Sequence, residues 1–254
     1  PGVRGFAVGL GQVPSTVVET AISDPAWQVR AEVARRSDCS PSALAELALD
    51  RDPVVRRAAL AHPAVPVEVL VQVLLHANSR LHAEVAAGNP GILFGSHREA
   101  LLSANRFGAL AMLAQPRMRA EFAARFARAD HTADVRARAV AHLHCPPKAL
   151  ASAAVDAPDA AVRAAAAQRI ECPPKALRAA AADVDEQVRR ACASNASCPT
   201  DVVDRLLADD DDVIRRIAAG HGAASPPCLA WTVAHDESMV VRKAAVSNPR
   251  CPTH

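Results

Sequence analysis

Residues 183–199 read Asp183-Val184-Asp185-Glu186-Gln187-Val188-Arg189-Arg190-Ala191-Cys192-Ala193-Ser194-Asn195-Ala196-Ser197-Cys198-Pro199. This phrase decides the fold because the chain keeps returning to it. Val-Arg recurs at Val29-Arg30, Val55-Arg56, Val135-Arg136, Val162-Arg163, Val188-Arg189 and Val241-Arg242, with Ile214-Arg215 as a close variant. Where the recurrence is plain, the spacing is 26 or 27 residues. The gap of 80 residues between Arg56 and Arg136 holds three periods, with degenerate anchors at Leu81-His82 and Phe107-Gly108. The chain therefore reads as about nine units, and such a period is the signature of a stacked-repeat architecture.

Proline places the helices inside each unit. Pro41, Pro66, Pro147, Pro174, Pro199, Pro227 and Pro252 each stand where a leading helix would open. Proline is tolerated in the first turn because its missing N–H would have no partner there. The apolar residues that follow, as in Val202-Val203 and Leu206-Leu207, recur three and four apart, which is one helical face. An acidic turn comes next, such as Asp50-Arg51-Asp52 or Asp183-Val184-Asp185, and Asp suits a helix N-terminus. A trailing helix then carries Val-Arg. It ends at Asn89, Asn195 or Asn248, or at His62, His142 or His221, residues that suit a left-handed cap. Two such short helices cannot bury their apolar faces alone, so neighbouring units must stack.

Composition agrees with this. Of 254 residues, 58 are Ala and half are apolar, yet only 3% are aromatic and none is Tyr. Ala favours helix over strand, which excludes an all-β fold, and an apolar chain with 22% charge is not disordered. The predicted fold is all-α: a solenoid of two-helix units in a single domain over 1–254, regular over 13–64 and 130–252 and degenerate over 65–129. Net charge is +2, too balanced for a typical nucleic-acid domain. Seven scattered cysteines argue for reduced thiols and a cytoplasmic location rather than a secreted disulfide framework. No apolar run is long enough to span a membrane, and residues 1–6 lack the apolar core of a signal peptide.

An Asp stands six residues before the recurrent Arg in the pairs Asp24 and Arg30, Asp50 and Arg56, Asp130 and Arg136, Asp183 and Arg189, Asp209 and Arg215, and Asp236 and Arg242. Asp156 and Arg163 are seven apart. The arrangement resembles the HEAT-repeat pattern, in which Asp and Arg ladder adjacent repeats. The short period and the phrase Asp-x-Asp-x-x-Val-Arg-x-x-x-Ala-x-Asn, followed by Cys-Pro, are more specifically similar to the leucine-rich repeat variant family. That resemblance implies the right-handed superhelix and a structural role for these twelve residues. It does not carry over the Cys-rich cluster that some relatives have at the N-terminus, since residues 1–38 contain no Cys.

Few residues are left for function. The positions after the ladder Arg give a broken basic row of Arg57, Arg190, Arg216 and Lys243, interrupted by Ala31, Ala137 and Ala164. The degenerate stretch 86–129 contributes Phe94, His97, Arg98 and Arg106, together with Phe107, Phe122 and Phe126 and the interrupting Gly88, Gly91, Gly95 and Gly108. Cys39, Cys145, Cys172, Cys198 and Cys251 share one repeat position, about a repeat apart and too far to share a metal. No nucleophile motif, P-loop or dinucleotide motif is present, so no catalytic residue, metal or cofactor is expected. The predicted function is a non-catalytic scaffold for a protein or peptide partner, with a homodimer through the last unit also possible. The alternatives are a HEAT-like nucleic-acid binder of the DNA-repair type and an accessory subunit of an enzyme.

Overall fold

The structure, a computed structural model, describes residues 14–92, 96–128 and 130–252. The described residues form helices and turns with no strand. The chain divides into two compact units, Pro1–Met118 and Arg119–His254.

In the first unit the helices come in pairs: α1 (Ser15–Ala21) with α2 (Trp27–Arg35), α3 (Pro41–Leu47) with α4 (Pro53–Ala61), α5 (Val67–His76) with α6 (Arg80–Gly88), and α7 (Arg98–Leu101) with α8 (Arg106–Leu113). The second unit continues the pattern: α9 (Ala120–Phe126) with α10 (Ala133–Ala141), α11 (Pro147–Asp156) with α12 (Ala160–Ala167), α13 (Pro174–Ala180) with α14 (Glu186–Ala193), α15 (Thr200–Leu206) with α16 (Asp212–Gly220), and α17 (Pro226–His235) with α18 (Met239–Val246). The two degenerate anchors fall on α6 and α8, as the period requires. Within each unit the trailing helices stack in sequence, α2 on α4, α6 and α8, and α10 on α12, α14, α16 and α18. This is the stacked-repeat arrangement that the period predicts.

Local chemistry sets each helix start. Proline occupies the first turn of α3, α4, α11, α13 and α17. The second Asp of the acidic turn caps the trailing helix: Asp52 accepts from the Val54 N–H, Asp185 from Gln187 and Asp211 from Val213. Losing such a cap costs about 1 kcal/mol. The seams between trailing helices are lined by fully buried alanines, Ala59, Ala83 and Ala86 in the first unit and Ala166, Ala193 and Ala218 in the second. Between leading and trailing helices sit larger side chains such as Leu44, Leu70, Leu150 and Leu177, each worth about 1.5–3 kcal/mol when buried.

The helix ends correct one expectation. No described residue has a positive φ, so the left-handed cap does not occur. Asn89 and His221, for instance, are extended, with φ of −63° and −74°. The terminal carbonyls are satisfied instead by a side chain from the following repeat.

The degenerate stretch is closed by a glycine. A Cβ on Gly108 would overlap the Leu74 carbonyl, so α8 lies directly against the backbone of α5. Phe122 and Phe126 fill the interior of the second unit, their ring centroids 6.2 Å apart. They are core residues there, and Phe107 belongs to the first unit.

Candidate functional site

The recurrent Arg makes the same set of bonds in repeat after repeat. Arg30 Nη1 donates to the Asp24 carbonyl at 2.6 Å in its own turn, while Nε and Nη2 grip both carboxylate oxygens of Asp50 at 2.6 and 2.9 Å. Arg163 holds Asp183 at 2.7 and 2.9 Å, Arg189 holds Asp209 at 2.8 and 3.1 Å, and Arg215 holds Asp236 at 2.9 and 3.4 Å. The resemblance implies a ladder between adjacent repeats for each Asp and the Arg six residues after it. The structure shows that the Arg takes only the carbonyl of that Asp, and its carboxylate comes from the next repeat. Such side-on pairs are among the stronger hydrogen bonds, and here they cross the seam. Hydrogen bonds from Arg30 and Arg163 hold the Asp50 and Asp183 carboxyls below the usual carboxylate range. At Asp209 burial pushes upward, and the bonds from Arg189 and the Asp211 backbone outweigh it.

A second ladder runs along the other ends of the trailing helices, and sequence reasoning missed it. Asn89 Nδ2 donates to the Leu60 and His62 carbonyls, Asn195 to Ala167 and Arg169, and Asn248 to Ala219 and His221, all at 2.7–3.0 Å. His62 and His221 reach back in the same way to Arg36 and Asn195, and Arg169 reaches to Val140 and His142. The Asn-or-His position was visible in the sequence. That its N–H crosses to the preceding repeat was not.

The first ladder departs from its pattern at three places. Asp130 pairs with Arg125 at 2.8 Å, and Arg136 reaches forward to Asp159. Arg163 donates to the Ala157 carbonyl, so Ala157 rather than Asp156 holds the ladder position in that repeat. At Arg56, Nη1 donates to the Asp50 and Arg51 carbonyls at 2.6 and 3.0 Å in the usual way. The next repeat then presents Ala77 as the C-cap of the ten-residue α5, where α17, also ten residues long, presents Asp236. Arg56 has no carboxylate partner among the described residues. It lines instead a cavity of about 570 Å³, walled by Ala48, Leu49, Leu60, Val69, Val73 and Ala77, with Gln72, His76, Asn78 and His82 around it.

The residues proposed for partner contact are divided between the two units. Arg57 in the first unit and Arg216 and Lys243 in the second are exposed. Arg190 is not a free cation, because it pairs with Asp211 of the next repeat at 3.5 Å and with Glu186 at 3.8 Å. Arg216 and Lys243 lie on the adjacent helices α16 and α18. His97 is half-buried at the start of α7, Arg98 pairs with Glu99, and the Arg106 guanidinium lies 5.9 Å from the Phe107 ring centre. Phe94 lies outside the described residues.

Cys39, Cys145, Cys172, Cys192 and Cys198 are buried, while Cys228 and Cys251 are half-buried. Burial pushes the Cys145 and Cys172 thiols up to about 11. Cys192 and Cys198, 3.9 Å apart, are the closest approach, and Cys192 donates to the Leu177 carbonyl. Among the described residues no group of three or more His, Cys, Asp or Glu is arranged to hold a metal ion. No helix among them is long and apolar enough to cross a membrane.

Paired short helices joined by side-chain ladders define a helical repeat protein. Residues 27–52 match the leucine rich repeat variant family. The chain is also similar to a solved structure described as a leucine-rich repeat variant with a novel repetitive protein structural motif: 24% identity over 89% of this chain and 88% of that one, with a TM-score of 0.55. An engineered protein aligns over 96% of this chain and 92% of its own at 15% identity, but its TM-score of 0.39 is too low to bear on the fold. No curated protein matches the chain. The resemblance to leucine-rich repeat variant proteins thus holds in sequence at residues 27–52 and in fold along most of the chain.

Proposed function

We propose that this protein is a non-catalytic repeat scaffold that binds a protein or peptide partner. One observation carries the reading. On the trailing helices the residue after the ladder Arg (Arg57, Arg216 or Lys243) is exposed and has no ion pair among the described residues. Fixed helices that present unengaged cations suit recognition of an acidic surface, since extended repeat surfaces are built for such contacts. The buried thiols of Cys39, Cys145, Cys172 and Cys198 suit a reducing, cytoplasmic setting.

The test is a pulldown with tagged full-length protein, comparing the natural chain with R216E/K243E. Both positions are exposed, so the double variant should keep its helical circular dichroism. Loss of the captured partner in the variant is the expected result, and full retention contradicts the reading. The nucleic-acid alternative is separated by a mobility-shift titration at rising salt, where phosphate contacts would give a steep salt dependence.

A further inference from the structure

We infer that the gap in the Asp/Arg ladder at Arg56 is a binding site for a small monocarboxylate with an apolar tail. This inference is independent of the scaffold reading. Its basis is the comparison of one position across repeats.

Arg56 is built like the other ladder arginines. Its Nη1 is committed to the Asp50 and Arg51 carbonyls, as Arg215 Nη1 is committed to the Asp209 and Asp210 carbonyls at 2.9 and 3.1 Å. In Arg30, Arg163, Arg189 and Arg215 this anchoring leaves Nε and Nη2 aimed across the seam at a carboxylate. At Arg56 the same two donors meet no carboxylate. Ala77 stands where Asp236 stands, with nearly the same backbone, φ −54° and ψ 126° against φ −63° and ψ 133°. The missing side chain opens into the cavity. The fold thus presents a pre-formed bidentate carboxylate receptor that lacks its carboxylate.

The cavity says what the rest of the ligand is. Its volume of about 570 Å³ falls within the range of small-molecule sites. Past the guanidinium, the walls are mainly aliphatic, and Leu49 at the mouth is 76% exposed. The acidic neighbours limit the charge. Asp50 is neutralised by Arg30, but Glu68 lines the cavity unpaired, so a dianion such as phosphate would meet repulsion that a monoanion largely avoids. A carboxylate head on an unbranched aliphatic chain satisfies both ends.

The test uses octanoate as the probe on the full chain, read by isothermal titration calorimetry. Binding with a Kd of about 0.1–1 mM is expected for a ligand of this size. Octanol, of equal length and uncharged, should bind at least tenfold more weakly. R56Q should abolish the octanoate signal. A77D is the second arm, because it supplies the absent carboxylate from within the chain. It should also abolish binding while keeping or raising the melting temperature, which separates occupancy of the site from misfolding. The inference is overturned if octanoate gives no signal at 10 mM, if octanol binds equally well, or if A77D binds octanoate as the natural chain does.

Discussion

The C-cap of α17 and the C-cap of α5 are the same position in two repeats, and they differ by one carboxylate. At the first, Asp236 crosses the seam to Arg215, and both side chains are buried. At the second, Ala77 leaves Arg56 facing a cavity. The backbone barely changes between them. The helices therefore stack without the carboxylate, held by the aliphatic and alanine seams. The ladder adds to the register of repeats that packing already brings together, which is why one rung can be absent.

The largest expected effect comes from breaking the intact rung. D236A should lower the stability of the second unit by about 3 kcal/mol, because it strands the buried Arg215 guanidinium. R56A should cost less than half as much, since that cation has no rung to lose. Urea unfolding of the two variants checks the contrast, and equal losses would remove it. The next effect concerns glycine. In an exposed helix Gly→Ala gains up to about 1 kcal/mol. G220A, with nothing near its added methyl, should follow that rule, whereas G108A should lose about 1–3 kcal/mol against the Leu74 carbonyl. Melting temperatures moving in opposite directions are the expected sign.

A smaller effect comes from filling the gap. A77D should raise stability by about 1 kcal/mol, the net value of a charge-assisted bond after desolvation. The smallest effect per residue is that of a proton. The Asp50, Asp183 and Asp209 carboxyls are depressed in the folded chain. Their contribution is therefore complete above the unfolded carboxylate pKa of about 4 and drains away as pH falls below it toward the folded values. Melting temperature should be nearly flat from pH 7 to 5 and fall below pH 4. In D183N/D209N the acid limb should be shallower, and an unchanged limb would show that other carboxyls set it.

Much of the fold was legible in the sequence because the repeat states its own rules many times over. Val-Arg fixed the period, proline the helix starts and the acidic turn the caps, and even the degenerate anchors Leu81-His82 and Phe107-Gly108 lie on the helices expected. The bonds were less legible. The resemblance pointed to a ladder between repeats, but nothing local says that the Arg takes the carbonyl of the Asp six residues earlier and the carboxylate of the next repeat. Asn and His at helix ends suggest a left-handed turn, and nothing local reveals that a neighbour's amide already satisfies the carbonyls. Arg190 looked free because Asp211, which engages it, lies a repeat away. Ala77 was hidden differently, since α5 runs to ten residues and shifts the ladder position by one. A lone alanine among 58 then carries no signal until its repeat equivalents are superposed.

The most direct measurement of the ladder and its gap is solvent exchange of the arginine Nε–H protons by nitrogen-15 NMR. In Arg30, Arg163, Arg189 and Arg215 this proton is bound to a carboxylate across the seam, and it should exchange slowly. In Arg56 it should exchange at least tenfold faster, and A77D should slow it to the rate of the others. An Arg56 Nε–H as protected in the natural chain as that of Arg215 would contradict the account.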